Sequence, residues 1–78
     1  MDNDNVVNNY VLREINDDIY ILVGIYDNTL IEIDYEASIV YKALRDLDRE
    51  NAKKSISCQL NINESETNKL INDLVSAI

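Results

Sequence analysis

Ile31-Glu32-Ile33-Asp34-Tyr35-Glu36-Ala37-Ser38-Ile39-Val40-Tyr41 is the stretch in which the chain changes its period. Up to Ile33 apolar and polar residues alternate, as a strand with one buried face requires; after Asp34 the apolar positions recur at helical spacing. Asp34 marks the boundary. Its short carboxylate suits a helix N-cap, and Glu36 in the first turn is favoured by the helix dipole. The expected helix runs from Asp34 to about Leu47 with Ala37, Val40, Tyr41, Leu44 and Leu47 on its buried stripe.

Reading back from this boundary, the chain is strand-like. Thr29 to Ile33 forms a third strand, and Asp27-Asn28 is a tight hairpin in which Asn adopts positive φ. Ile19-Tyr20-Ile21-Leu22-Val23-Gly24-Ile25-Tyr26 is β-branched and aromatic, and reads as a second strand in which Gly24 marks a bulge. Asn16-Asp17-Asp18 is a turn, and Tyr10 to Ile15 is the first strand. Reading forward, Asp48 to Asn51 is a connector, and Asn51 caps a second helix with Ala52, Ile56 and Leu60 on one face. Asn63 and Glu66 form a capping-box variant opening a third helix, with an apolar stripe of Thr67, Leu70, Ile71, Leu74, Val75 and Ile78. The expected fold is α+β, a three-stranded antiparallel meander followed by three helices (βββααα). Residues 1–9 are expected to be a flexible acidic N-terminus and residues 10–78 a single domain, near the lower size at which one core suffices.

The second strand is apolar on both faces, with Ile19, Ile21, Val23 and Ile25 on one and Tyr20, Leu22 and Tyr26 on the other. Three short helices are expected to cover only one of them. Tyr10, Leu12, Tyr20, Leu22 and Tyr26 are therefore expected to form an interface with a partner or with a second copy in a homodimer.

The formal charge of −8 is concentrated in one half: residues 1–36 hold nine acids and one base, whereas residues 37–78 hold six of each. Such a surface repels phosphates and attracts cations. There is no histidine to activate a nucleophile, and one cysteine, Cys58, cannot make an internal disulfide or a zinc site. Asp17 and Asp18 read as turn residues, and Asp2-Asn3-Asp4-Asn5 lacks the glycine and distal glutamate of a calcium loop. No glycine loop is present to cradle phosphate, so neither enzymatic activity nor a metal or other cofactor is expected. No run of apolar residues is long enough for a membrane span, and the polar start is unlike a secretory signal. The expected location is cytoplasmic, with no membrane partner.

Tyr10-Val11-Leu12-Arg13, Ile31-Glu32-Ile33-Asp34 and Ala37-Ser38-Ile39-Val40-Tyr41-Lys42-Ala43-Leu44 together resemble the PqqD-like family, as does the spacing of Glu66 to Leu74. These are peptide chaperones of pyrroloquinoline-quinone biosynthesis and the related recognition elements of ribosomally made, post-translationally modified peptides. Asp34 stands where the family has Asn, and Val40-Tyr41 where it has Ile-Trp; the Asp-Gly after the family's first helix is absent. The resemblance implies a winged helix-turn-helix-like fold and a non-catalytic function. The leader of a precursor peptide would add as a strand along strand 3 and fill the groove between strand 3 and helix 3. It would then be presented to a modifying enzyme such as a radical enzyme, a cyclase or a leader peptidase. The implied peptide contacts are Thr29, Leu30, Ile31, Glu32, Ile33 and Asp34 on the strand, and Thr67, Leu70, Ile71 and Leu74 on the helix. Glu32 and Asp34 favour a leader carrying Lys or Arg. Thr29 to Asp34 contains neither proline nor lysine to defend that edge against pairing. The alternatives are a winged-helix DNA-binding regulator and a structural subunit docking through the Tyr/Leu sheet face. Against nucleic acid stand Glu64, Glu66 and Asp73 on helix 3, opposed only by Lys69.

Overall fold

The computed structural model describes residues 7–78. Strands β1 (Tyr10–Glu14), β2 (Tyr20–Gly24) and β3 (Leu30–Ile33) form an antiparallel sheet in the order β1-β2-β3. Helices α1 (Tyr35–Asp46), α2 (Arg49–Leu60) and α3 (Glu64–Ala77) follow, completing the βββααα arrangement. It is compatible with a winged-helix-like fold.

Caps set the helix boundaries. Asp34 accepts from the Ala37 amide at 2.8 Å and opens α1, and Asn63 accepts from the Glu66 amide at 2.8 Å and opens α3. The second helix begins earlier than expected, because Asp48 rather than Asn51 is its N-cap. The Asp48 carboxylate accepts from the Asn51 amide at 2.8 Å and from the Asn51 side chain at 3.2 Å, so Asn51 is the residue being capped. Asn61 at φ 54° ends α2 in the left-handed region that Asn tolerates.

The hairpin between β2 and β3 is longer than a two-residue turn. β2 stops at Gly24, and Ile25 to Thr29 form the connection, with Asn28 at φ 58°. The Asn28 amide donates to the Gly24 carbonyl at 3.1 Å, and Asp27 accepts from the Thr29 amide at 3.0 Å. Gly24 is not a bulge, since it pairs in register with Tyr10. A Cβ at Gly24 would meet the Asp27 carboxylate, so the glycine permits that close approach. The bonds donated by Thr29 hold the Asp27 carboxyl below its ordinary pKa.

The pairing Tyr10↔Gly24, Leu12↔Leu22 and Leu22↔Ile31 sorts the sheet into two faces. Tyr20, Leu22 and Ile33 are buried beneath the helices, sharing a core with Val40, Tyr41, Leu44, Ala52, Ile56, Ile71 and Leu74. Tyr10, Leu12 and Ile31 pack against the same core. The expected interface at Tyr10, Leu12, Tyr20 and Leu22 is thus corrected: these side chains face the helices. Tyr10 is doubly committed, because its carbonyl accepts from the buried Tyr41 hydroxyl at 2.7 Å and its own hydroxyl donates to the Ile78 carbonyl at 3.3 Å. Tyr26 lies in the hairpin connection, outside the sheet, and is 83% exposed.

Residues 7–9 form a 3-10 turn in which Val7 is fully buried, and the Asn9 carbonyl accepts from the Ile25 amide at 2.9 Å. This part of the expected flexible terminus is therefore packed. Residues 1–6, including Asp2-Asn3-Asp4-Asn5, lie outside the described residues. Among the described residues every buried side-chain nitrogen and oxygen has a hydrogen-bond partner, and no helix is long and apolar enough to cross a membrane.

Candidate functional site

The free edge of β3 follows from the ladder. The Gly24 amide donates to the Thr29 carbonyl at 2.8 Å, which makes Gly24 and Thr29 a hydrogen-bonded pair. Antiparallel ladders alternate, so Ile31 and Ile33 also turn their backbone groups to β2. The N–H and C=O of Leu30 and Glu32 point away from the sheet, four polar groups with no strand beside them.

Next to this edge lies a groove of about 280 Å³ between β3 and α3. Its apolar lining is Ile33, Ala37, Leu70, Leu74 and Ala77, and its acidic lining is Glu32, Asp34, Glu36 and Asp73. A hollow of about 210 Å³ shares Glu36, Leu70 and Asp73 with it and adds Ile62, Glu66 and Lys69. Five acids and one base therefore border these two adjoining hollows.

The expected contact residues divide into two groups. Leu30 to Ile33 form the edge strand, with Thr29 just before it and Asp34 at its exit, and Leu70 and Leu74 line the groove. Thr67 and Ile71 do not line it, for both are fully buried against the helices. The Thr67 hydroxyl sits 2.6 Å from that of Ser57 and donates to the Asn63 carbonyl at 2.9 Å, tying α2 to α3. Glu36, Ala37, Asp73 and Ala77 line the groove without having been anticipated. Leu70, Asp73, Leu74 and Ala77 follow i, i+3, i+4, i+7 spacing, so the helical face was present in the sequence; reading only apolar positions merged it with the core face. Asp34 has two roles, since its side chain caps α1 while its position borders the groove.

Elsewhere the chemistry is sparse. Asn16 accepts from the amides of Asp18 and Ile19 at 2.8 and 3.0 Å, which fixes Asp17 and Asp18 in a turn. A hollow of about 560 Å³ between α2 and α3 is lined by Glu50, Lys53, Lys54, Ser57, exposed Cys58 and Glu64. Its charges are balanced and no hydrogen-bonded nucleophile–base pair lies in it. Among the described residues no group of three or more His, Cys, Asp or Glu is placed to hold a metal ion. Burial raises the pKa of Tyr41 and, with help from Glu14, that of Tyr20. Both hydroxyls belong to the core rather than the groove.

What the fold and the site define is a class: a small α+β domain whose open sheet edge runs beside an acidic, apolar-floored groove. No family model matches the chain, and no curated protein or solved structure is detectably similar to it.

Proposed function

We propose that this chain is a non-catalytic peptide-binding module that takes an extended cationic segment as a fourth strand on β3. The supporting observation is the adjacency of the outward-facing Leu30 and Glu32 backbone to the groove bordered by Glu36, Leu70, Asp73 and Leu74. An added strand would satisfy the four free backbone groups and alternate its side chains about the sheet. Those on the helix side would enter the groove, apolar ones against Leu70 and Leu74 and a Lys or Arg against Glu36 and Asp73. The resemblance to PqqD-like chaperones names the ligand as the leader of a precursor peptide and the recipient as its modifying enzyme. Sheet edge and acidic groove both suit a carrier. The α3 surface, with Glu64, Glu66 and Asp73 exposed, does not suit a phosphate backbone.

The test uses fluorescently labelled leaders encoded beside the gene, together with a ten-residue peptide of alternating Lys and Val. Glu36→Gln with Asp73→Asn removes two groove charges while leaving the Asp34 cap intact. At roughly 0.5 kcal/mol per exposed ion pair, affinity should fall about fivefold, and raising salt should weaken the unaltered protein in the same way. Unchanged affinity in the double variant, or no saturable binding of any cationic peptide, would sink the proposal.

A further inference from the structure

The face of the sheet turned away from the helices carries Val11, Ile15, Ile19, Ile21, Val23, Ile25 and Leu30, and is partly or largely exposed. Val11 is 42% exposed, Ile15 56%, Ile25 50% and Leu30 68%. Two charges share this face within the strands, Arg13 on β1 and Glu32 on β3. Both are in register with Ile21, so the row across the sheet reads Arg13, Ile21, Glu32. The adjacent row reads Val11, Val23, Leu30.

These rows have a symmetry property. Place a second sheet face to face with the first, related by a twofold axis running along β2 between them. The rotation exchanges the two outer strands and leaves β2 opposite β2. Arg13 then faces Glu32 of the other copy, Glu32 faces its Arg13, and Ile21 faces Ile21. In the next row Val11 meets Leu30 and Val23 meets Val23. The face is self-complementary in charge and shape class, as a closed twofold interface requires.

We propose that the outer sheet face is a homodimer interface, a β-sandwich of two chains closed by paired Arg13–Glu32 contacts. Facing sheets pack about 10 Å apart, a gap that one arginine and one glutamate span from opposite sides. At a strand spacing of about 4.8 Å and a rise of about 3.3 Å per residue, two strands of five residues and one of four present a face of at most roughly 14 by 17 Å. With the corrugation of side chains this buries on the order of 900 Å² over both copies, below the size of a standard stable interface. The dimer is therefore reversible and concentration-dependent. It also leaves the helices and the α3 side of the groove outside the interface.

The experiment is sedimentation equilibrium of the full chain from about 10 μM to 1 mM, on wild type, Arg13→Glu and Glu32→Arg. Each single variant sets like charges opposite each other twice per dimer, and should weaken self-association at least tenfold. An equimolar mixture of the two variants restores both pairings, and should dimerise at least as well as wild type. Val23→Lys, which buries a cation on the twofold axis, should leave only monomer, and circular dichroism of every variant checks that the fold is retained. A wild type that stays monomeric at 1 mM, or assembles beyond the dimer, would overturn the proposal. So would single variants that dimerise like wild type, or a mixture no better than its components.

Discussion

Replacing Glu32 by proline separates folding from strand addition at a single atom. The alternation set by the Gly24–Thr29 bond turns the Glu32 amide away from β2, so proline there removes no bond within the sheet. Edge strands accept proline with the missing N–H toward solvent, and Ile31, already extended, tolerates a following proline. The fold should therefore lose no more than about 1–2 kcal/mol, chiefly from drawing φ toward the proline value. Binding should lose more. The four outward groups of Leu30 and Glu32 contribute about 1 kcal/mol each, and two or three apolar anchors about 2 each, roughly 8–10 together. Ordering the peptide offsets about 2–5 of this, leaving about 3–8 kcal/mol, a dissociation constant of micromolar at the tightest and millimolar at the weakest. Proline deletes one of the four bonds and leaves the incoming carbonyl without a donor, a combined loss of about 2–4 kcal/mol, or roughly thirtyfold to several hundredfold. Glu32→Gln keeps the amide and removes only the charge, for an expected loss of about 0.5–1 kcal/mol. Fluorescence anisotropy with the alternating Lys–Val peptide measures both variants beside wild type. If Glu32→Pro is folded by circular dichroism and binds within twofold of wild type, the peptide does not pair with β3.

Two further predictions concern stability. Tyr41→Phe removes the hydroxyl that donates to the Tyr10 carbonyl between α1 and β1, and should lower unfolding free energy in urea by about 1–2 kcal/mol; a change below about 0.3 would mean that this bond adds nothing net. The pH profile should fall at both ends. Hydrogen bonds from Thr29 depress the Asp27 pKa, and the Arg45 guanidinium, 2.8 Å away, depresses that of Asp46. Their contributions are present above the unfolded value of about 4 and are lost as pH falls through the lower folded values. Tyr20 and Tyr41 are raised, mainly by burial, so their contributions are present below the unfolded value of about 10 and disappear as pH rises through the folded ones. Thermal melts across pH 2–12 check the shape; Asp27→Asn should flatten the acid limb, and an unaltered acid limb would contradict that assignment.

The element order was legible because each element carries its own signal. The strands announce themselves by β-branched and aromatic residues, and Asp34 and Asn63 mark helix starts by local capping chemistry that needs no tertiary partner. The errors came where the sequence offers two competent local choices, or where a contact from another element decides. Asp48 and Asn51 are both competent caps, and only the observed bond from the Asn51 amide to Asp48 chooses between them. β2 ends at Gly24, against which the Asp27 carboxylate closes, and Ile25 and Tyr26 belong to the connection. The resemblance implies Thr67 as a groove residue, yet Ser57 on α2 fixes its hydroxyl in the helix packing.

The face of the sheet was the hardest choice, because β2 is apolar in both directions and its own residues do not discriminate. The flanking strands do. Arg13 and Glu32 both register with Ile21, so the face bearing Ile21 includes two charges that could not be buried against the helices without loss of hydration. The opposite face has Leu12, Leu22, Ile31 and Ile33, with its one charge, Glu14, at the exposed end of β1, and it takes the core. The selection is thus made by two charged side chains on the outer strands rather than by the apolar pattern of the central one. It also locates where this chain departs from the usual rules of self-containment. Its helices are capped and their polar core atoms paired, whereas its sheet has an edge without lysine or proline and an outer face with exposed aliphatics. Departures from such rules concentrate where a surface is used. Both of these meet at Leu30 and Glu32, whose backbones form the open edge and whose side chains belong to the outer face. A peptide strand added at that edge would widen the face on which a second copy docks, so the two binding events share a boundary and are expected to alter each other's affinity reciprocally.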